Sequence, residues 1–315
     1  MSLIPPAWIE QATTRIAPYI RHTPLVYDPE MGIYIKWENQ QHTGSFKLRG
    51  ALNKILSLEA WECQQGLVTA SAGNHGQGVA FAASLVHAPV IVFASDHAVP
   101  DKVAAMQHLG AEVRLVPGGY AQAEAAGIEY ARQAGATWIS PYNDGQIIAG
   151  QATLGLEISQ DLASQSTACW IVPAGGGGLA SGIGAALESM QPSPSLIAVQ
   201  SEASAFLHAL YHTGSQAGVV ELDSLADGLA GAVETDSLTI PLVRHYVNEF
   251  ILVSEAEIAQ AIAYAWRHYN EKIEGSGAVA LAAILTGKVL QRPAVVIISG
   301  GNIQPDVHAR ILSTT

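Results

Sequence analysis

Lys47 stands in the stretch His42-Thr43-Gly44-Ser45-Phe46-Lys47-Leu48-Arg49-Gly50, between apolar neighbours, in a chain whose residues are only 13% charged. A free lysine amine has a pKa of about 10.4 and is protonated at neutral pH. Buried without a carboxylate partner, it gives up its proton more readily and becomes a nucleophile. Gly44 and Ser45 leave room beside it for a bulky group. Taken alone, the stretch fits a surface lysine near a helix start equally well, with Arg49 in the same role. Three further small-residue loops accompany it: SAGNHGQG from Ser71, AGGGGLASG from Ala174 and SGGN from Ser299. As an ordered set they suggest a reactive amine, an anion cradle and two polar anchors for a flat cofactor.

Each loop has its own chemistry. Gly175, Gly176, Gly177 and Gly178 follow an apolar strand and open a helix with Leu179. Consecutive glycines let backbone amides converge, and the helix N-terminus adds positive potential, a combination that binds phosphate. No Lys-Ser/Thr pair follows, so the loop is not a P-loop. Gly175, Gly177 and Ala180 also satisfy the permissive GxGxxA pattern, with Glu202 beyond the next strand for a ribose hydroxyl, so a nicotinamide-dependent oxidoreductase stays open at this point. The loop Ser71, Ala72, Gly73, Asn74, His75 could hold a carboxylate on its backbone amides. Asn74 could donate to a phenolic oxygen or cap the helix that begins there, and His75 reads as structural. Ser299 lies at the carboxyl end of an apolar strand, where ligands collect in open α/β sheets. There is no HExxH, paired CxxC or GxSxG, and the 11 histidines lack ligand spacing, so no metal site is expected.

The elements that must position these loops alternate. Short β-rich runs fall at 33–37, 66–69, 90–93, 113–116, 138–140, 170–172, 196–199, 250–253 and 295–298. Helical segments at 74–85, 101–109, 122–133 and 147–159 separate many of them, and Ser254 to Glu257 forms a capping box for a helix to about His268. Such alternation predicts an α/β chain with open, mostly parallel twisted sheets wrapped by helices.

At 315 residues the chain has length for two domains, and no fixed-period repeat or polar linker marks a boundary. The net charge of −12 and the lack of a Lys/Arg-rich run exclude a nucleic-acid footprint. Cys63 and Cys169, far apart in apolar company, read as buried thiols of a reducing compartment. The opening MSLIPP shows no secretory signal, and the longest apolar stretch, about 79–94, is broken by His87 and Pro89, so no membrane span and a cytoplasmic location are expected.

The runs IKWENQQHTGSFKLRGALNKI, SAGNHGQGVAFAA, PAGGGGLASG, ADGLA, EGSGA and SGGN, in that order, cover nearly the whole chain. As a set they resemble the fold type II pyridoxal-phosphate enzymes, more narrowly the threonine/serine dehydratase and serine racemase group, with short-form threonine dehydratases nearest. The resemblance implies pyridoxal 5'-phosphate joined covalently to Lys47, with Phe46 against its ring and Asn74 at its 3'-oxygen. Gly175, Gly176, Gly177, Gly178 and Leu179 would cradle its phosphate. Ser299 would bond the pyridine nitrogen, and Glu274 would lie close to the ring. Ser71, Ala72, Gly73, Asn74 and His75 would grip the substrate carboxylate. It further implies a large cofactor-binding domain of residues 1–57 and 143–315, a small inserted α/β domain of 58–142, and a homodimer. The expected reaction is elimination of water from L-threonine and/or L-serine, giving a 2-oxo acid and ammonia; serine racemase and 3-hydroxyaspartate dehydratase are the alternatives within the fold. Departures narrow this. Ala72 stands where similar racemases carry serine, which argues against racemisation. Gln200 and Phe206 replace two cation-binding carboxylates, which argues against a tight magnesium site. The chain ends soon after Asn302, so no C-terminal regulatory domain is expected.

Overall fold

The computed structural model describes residues 4–188 and 190–315; residues 1–3, part of the opening read above for a signal, lie outside them. Ten strands form two sheets: β1 (Leu25–Asp28), β2 (Ile33–Trp37), β3 (Leu67–Ala70), β4 (Val90–Ser95), β5 (Glu112–Val116), β6 (Thr137–Trp138), β7 (Cys169–Pro173), β8 (Ser195–Ser201), β9 (Glu249–Val253) and β10 (Ala294–Ile298). The six-stranded sheet runs β1-β2-β10-β7-β8-β9 and the four-stranded sheet β5-β4-β3-β6. All pairings are parallel except β1 with β2.

Parallel strands buried on both faces read as unbroken apolar runs, and β7 and β10 are buried at every position. Side-chain alternation then feeds two cores. Trp170, Val172, Val295 and Ile297 point to one face of the large sheet, and Cys169, Ile171, Val296 and Ile298 to the other. Both cysteines are buried and unbridged.

Two strand readings need correction. β1 has no counterpart in the sequence reading: it is an antiparallel edge strand with exposed Val26 and Tyr27, so it lacks the apolar run that marks its neighbours. The predicted strand at 138–140 is Thr137–Trp138 instead. Beyond it the Ile139 carbonyl accepts the Thr69 hydroxyl at 2.7 Å rather than extending the ladder.

The helix Lys47–Ile55 is pressed between the helices Gly145–Leu162 and Asn74–Leu85. The approach is possible because two glycines meet: a methyl at Gly150 would lie 2.6 Å from Gly50 Cα and 2.7 Å from the Arg49 carbonyl oxygen. Gly150→Ala is therefore expected to lower stability by about 1–3 kcal/mol through overpacking, read as a lower thermal midpoint; an unchanged midpoint would show that the helices part without cost.

Arg49, which the sequence left open as a surface charge, is fully buried on that same helix. Its Nε and Nη2 donate to Glu38 at 2.8 Å each, and Nη2 meets Glu157 at 2.9 Å. Buried Lys36 on β2 lies 2.7 Å from Glu157 and 3.0 Å from Asp161. This string of charges ties the Lys47 helix to the large sheet.

Candidate active site

In parallel sheets all carboxyl ends share one edge, and the loops leaving β3, β7 and β10 converge on one cavity of about 660 Å³. Every residue that the resemblance assigns to cofactor or substrate lines it: Phe46 and Lys47; Ser71, Ala72, Gly73, Asn74 and His75; Gly175, Gly176, Gly177, Gly178 and Leu179; Glu274; and Ser299.

Lys47 opens its helix, and the residues before it are pinned to the loop after β10. The Phe46 N–H donates to the Ser299 carbonyl at 3.0 Å, and the Gly301 N–H to the Gly44 carbonyl at 2.9 Å. Gly44 has φ +72°, a conformation that L side chains adopt only with strain. The Lys47 Nζ lies 5.4 Å from the centre of the Phe46 ring and donates to the Pro141 carbonyl at 2.9 Å. Burial pulls its pKa down to about 8, against the opposing pull of the Glu274 carboxylate. A carbonyl satisfies the amine without compensating its charge, so the neutral nucleophile is accessible near physiological pH. His75 is pushed down to about 3 by burial and by the nearby Lys47 charge, and its Nε2 lies 3.2 Å from the Ile139 carbonyl. Both causes favour the neutral imidazole.

The four glycines leave no space for side chains on their protein side. A methyl at Gly176 would fall into the Tyr142 ring, and one at Gly175 would come 2.9 Å from Leu229 Cα. Gly177 has φ +87°, and the helix Gly178–Leu187 starts at the next residue. Tight backbone and a helix N-terminus together give an anion cradle. Glu202, the ribose-binding residue of the nicotinamide reading, is exposed and does not line the cavity.

Asn74 does not cap its helix. The cap position is Gly73, with no side-chain bond, and the Asn74 amide turns into the cavity to donate to Glu274 at 2.6 Å. Its carbonyl oxygen accepts from Asn302 at 2.7 Å. Burial lifts the Glu274 pKa to about 7; the Asp227 carboxylate adds to this, while Lys102 and Asn74 oppose it. Ser299 is buried, its Oγ 3.5 Å from the Ser276 carbonyl.

Several lining residues carried no sequence signal of their own. Lys102 and Asp227, paired at 2.6 Å, both face the cavity; a lone lysine after Val-Pro-Asp is unremarkable, and Asp227 sat in ADGLA without an assigned role. Tyr120 donates to Glu124 at 2.8 Å, and Tyr142, beneath the glycine loop, accepts from the Glu234 N–H at 2.9 Å. No cluster of three His, Cys, Asp or Glu side chains among the described residues is arranged to hold a metal ion. No helix among them is long and apolar enough to cross a membrane.

The arrangement combines a buried amine of lowered pKa, a glycine cradle that side chains would fill, and polar groups at a strand's end. That donor set fits a planar phosphorylated aldehyde: a primary amine for the carbonyl, main-chain amides for the phosphate, Ser299 for a ring nitrogen and Asn74 for a phenolic oxygen on the ring.

Comparison with known proteins agrees. The family model described as "Pyridoxal-phosphate dependent enzyme" matches residues 16–300. An L-threonine ammonia-lyase of Thermotoga maritima is 39% identical over 312 residues, covering 97% of this chain and 77% of that protein. A maize serine racemase structure superposes with TM-score 0.88 at 30% identity, covering 98% of this chain and 96% of the other. A threonine deaminase isoform 2 from Solanum lycopersicum superposes with TM-score 0.87 at 28% identity, covering 98% and 94%.

Proposed function

The chain belongs to the pyridoxal-phosphate dependent enzyme family, and from that premise we propose that it is an ammonia-lyase (dehydratase) acting on L-threonine and/or L-serine. The observation that carries this reading is the buried Lys47 amine sharing one cavity with the four-glycine cradle. Curated relatives carrying the threonine ammonia-lyase name support the substrate class.

Lys47 would hold the cofactor through its aldehyde, Gly175, Gly176, Gly177, Gly178 and Leu179 its phosphate, and Ser299 its ring nitrogen, with Phe46, Asn74 and Glu274 around the ring. Bound there, pyridoxal phosphate supplies an electron sink for the pair left when the substrate Cα–H bond breaks. Ser71, Ala72, Gly73, Asn74 and His75 would receive the substrate carboxylate on their backbone amides. The Lys47 amine, which burial makes easier to deprotonate, would take the α-proton. The Ser299 hydroxyl is too weak an acid to transfer its proton to the ring nitrogen, so it orients without sharpening the sink. Such a site favours expulsion of a β-hydroxyl in step with proton loss; the hydroxyl leaves as water, and the released enamine takes up one water to give a 2-oxo acid and ammonia. Ala72 offers no proton on the opposite face, which disfavours racemisation.

The division into 1–57 with 143–315 and 58–142 is proposed with this reading; its support is that β3 to β6 all fall in the second segment. A homodimer is proposed on resemblance alone, and a cytoplasmic location on the two buried, unbridged thiols. The deciding experiment is a panel of β-hydroxy amino acids given to the holoenzyme with ammonia detection, alongside chiral analysis of L-serine. Ammonia release from L-threonine or L-serine, with racemisation much slower, is expected; racemisation as fast as elimination would replace this reading with a racemase.

A further inference from the structure

The cavity lining is lopsided in charge. Its lysines are Lys47 and Lys102, its carboxylates are Glu124, Glu221, Asp227 and Glu274, and no arginine lines it among the described residues. Lys102 belongs to the helix Pro100–His108 that follows β4, and Asp227 to the short turn Asp227–Leu229 between β8 and β9. Their ion pair, Nζ to Oδ2 at 2.6 Å, therefore joins segments of the two sheets across the solvent-facing side of the cavity, with the Asp227 side chain 56% exposed. The lysine stem lies on the loop proposed for the substrate carboxylate: a methyl at Gly73 would come 3.3 Å from Lys102 Cδ and 3.8 Å from its Nζ. Glu274 feels both charges, Asp227 raising its pKa and Lys102 lowering it.

A carboxylate arriving at Gly73 thus meets one ammonium, already shared with Asp227. For a second carboxylate on the same substrate the lining offers the acids Asp227, Glu124 and Glu221 and no arginine among the described residues. We propose that Lys102, held by Asp227, is the specificity-determining residue whose ammonium pairs with the single carboxylate seated on the Ser71 to His75 amides, and that the acidic side chains of the cavity restrict the reaction to monocarboxylate amino acids with a neutral β-hydroxyl. This rests on the ammonia-lyase reading and sharpens it by rejecting 3-hydroxyaspartate.

Holoenzyme and its Lys102→Gln, Lys102→Arg and Asp227→Asn variants are compared with L-threonine and 3-hydroxyaspartate as substrates. Calorimetric titration with L-alanine, which has no β-substituent to lose, gives binding without turnover. The wild type is expected to prefer L-threonine by about 100-fold in kcat/KM, since like charges brought together at a binding site are strongly disfavoured. Lys102→Gln is expected to weaken L-alanine binding and raise KM for L-threonine by about tenfold, with kcat changed less, and Lys102→Arg to recover most of the loss. Asp227→Asn is expected to narrow the preference over the dicarboxylate. A preference below tenfold in the wild type, or L-alanine affinity within twofold of wild type in Lys102→Gln, overturns the assignment. If no hydroxy amino acid released ammonia, the ammonia-lyase reading would fall, while the L-alanine titrations would still decide the role of Lys102.

Discussion

Lys47→Ala is expected to reduce ammonia release from L-threonine by at least about 10³-fold, because it removes both the group that holds the cofactor and the base that takes the α-proton. The fold should survive, since the amine's neighbours are a carbonyl oxygen and an aromatic ring rather than a structural ion pair. The cofactor-free protein offers a sharper check through linkage. Burial lowers the Lys47 pKa from 10.5 to about 8, so between these values the unfolded chain binds a proton that the native chain does not. Stability therefore rises with pH across that window. Below about pH 8 both states carry the charge, and the native state bears the full cost of burying it. In urea titrations Lys47→Ala should be more stable than the wild type at pH 7, with the difference shrinking from pH 8 toward 10.5. A variant less stable at pH 7 would mean that the amine is held by compensating charge, and the nucleophile argument would fail with it.

The chemistry was legible in the sequence because it resides in backbone. Glycines at Gly175, Gly176, Gly177 and Gly178 and at Gly44 are demanded by close approach or positive φ, and such demands leave a mark on residue type. Strands wholly inside the large sheet were legible for a related reason: burial on both faces imposes apolar residues throughout, as at 295–298. The helix read at 74–85 is Asn74–Leu85 in the structure, and the Ser254 capping box is present with both bonds. What escaped depends on distant partners. The amide of Asn74 has the same chemistry whether it caps a helix or meets Glu274, and only the tertiary fold places Glu274 2.6 Å away. Lys102 and Asp227 are 125 positions apart, and nothing local to either predicts the pair. The half-exposed β1 escaped because an edge strand needs no apolar run.

Arg49 shows the same limit with the largest expected effect on stability. Its position two residues after Lys47 left exposure and burial equally open, and the guanidinium is buried between Glu38 and Glu157. Burial alone would raise the Glu38 pKa, yet the charge and hydrogen bonds of Arg49, with Thr23 and Lys36, hold it below the usual carboxylate range. Arg49→Leu removes most of that compensation and leaves the buried Glu38 carboxylate with the Thr23 hydroxyl and the Lys36 charge. Breaking one side of a buried pair costs about 3–5 kcal/mol, a loss expected at pH 7 as a markedly lower thermal midpoint. The pH dependence follows in sign. In the wild type the depressed Glu38 pKa contributes stability that is present above the unfolded value, about 4.3, and is lost as pH falls through the folded one. In Arg49→Leu burial dominates and the folded pKa lies above the unfolded value, so Glu38 takes up a proton on acidification and relieves its own penalty. The gap in thermal midpoint between wild type and variant should therefore narrow steadily from pH 7 to pH 4.5. A gap that stays constant would place the cost in lost packing of the arginine stem rather than in charge, and one that widens would contradict the buried pair altogether. Because this pair anchors the helix that begins at Lys47, the same variant should also hold pyridoxal phosphate less tightly, measured as faster loss of the visible absorption on dilution.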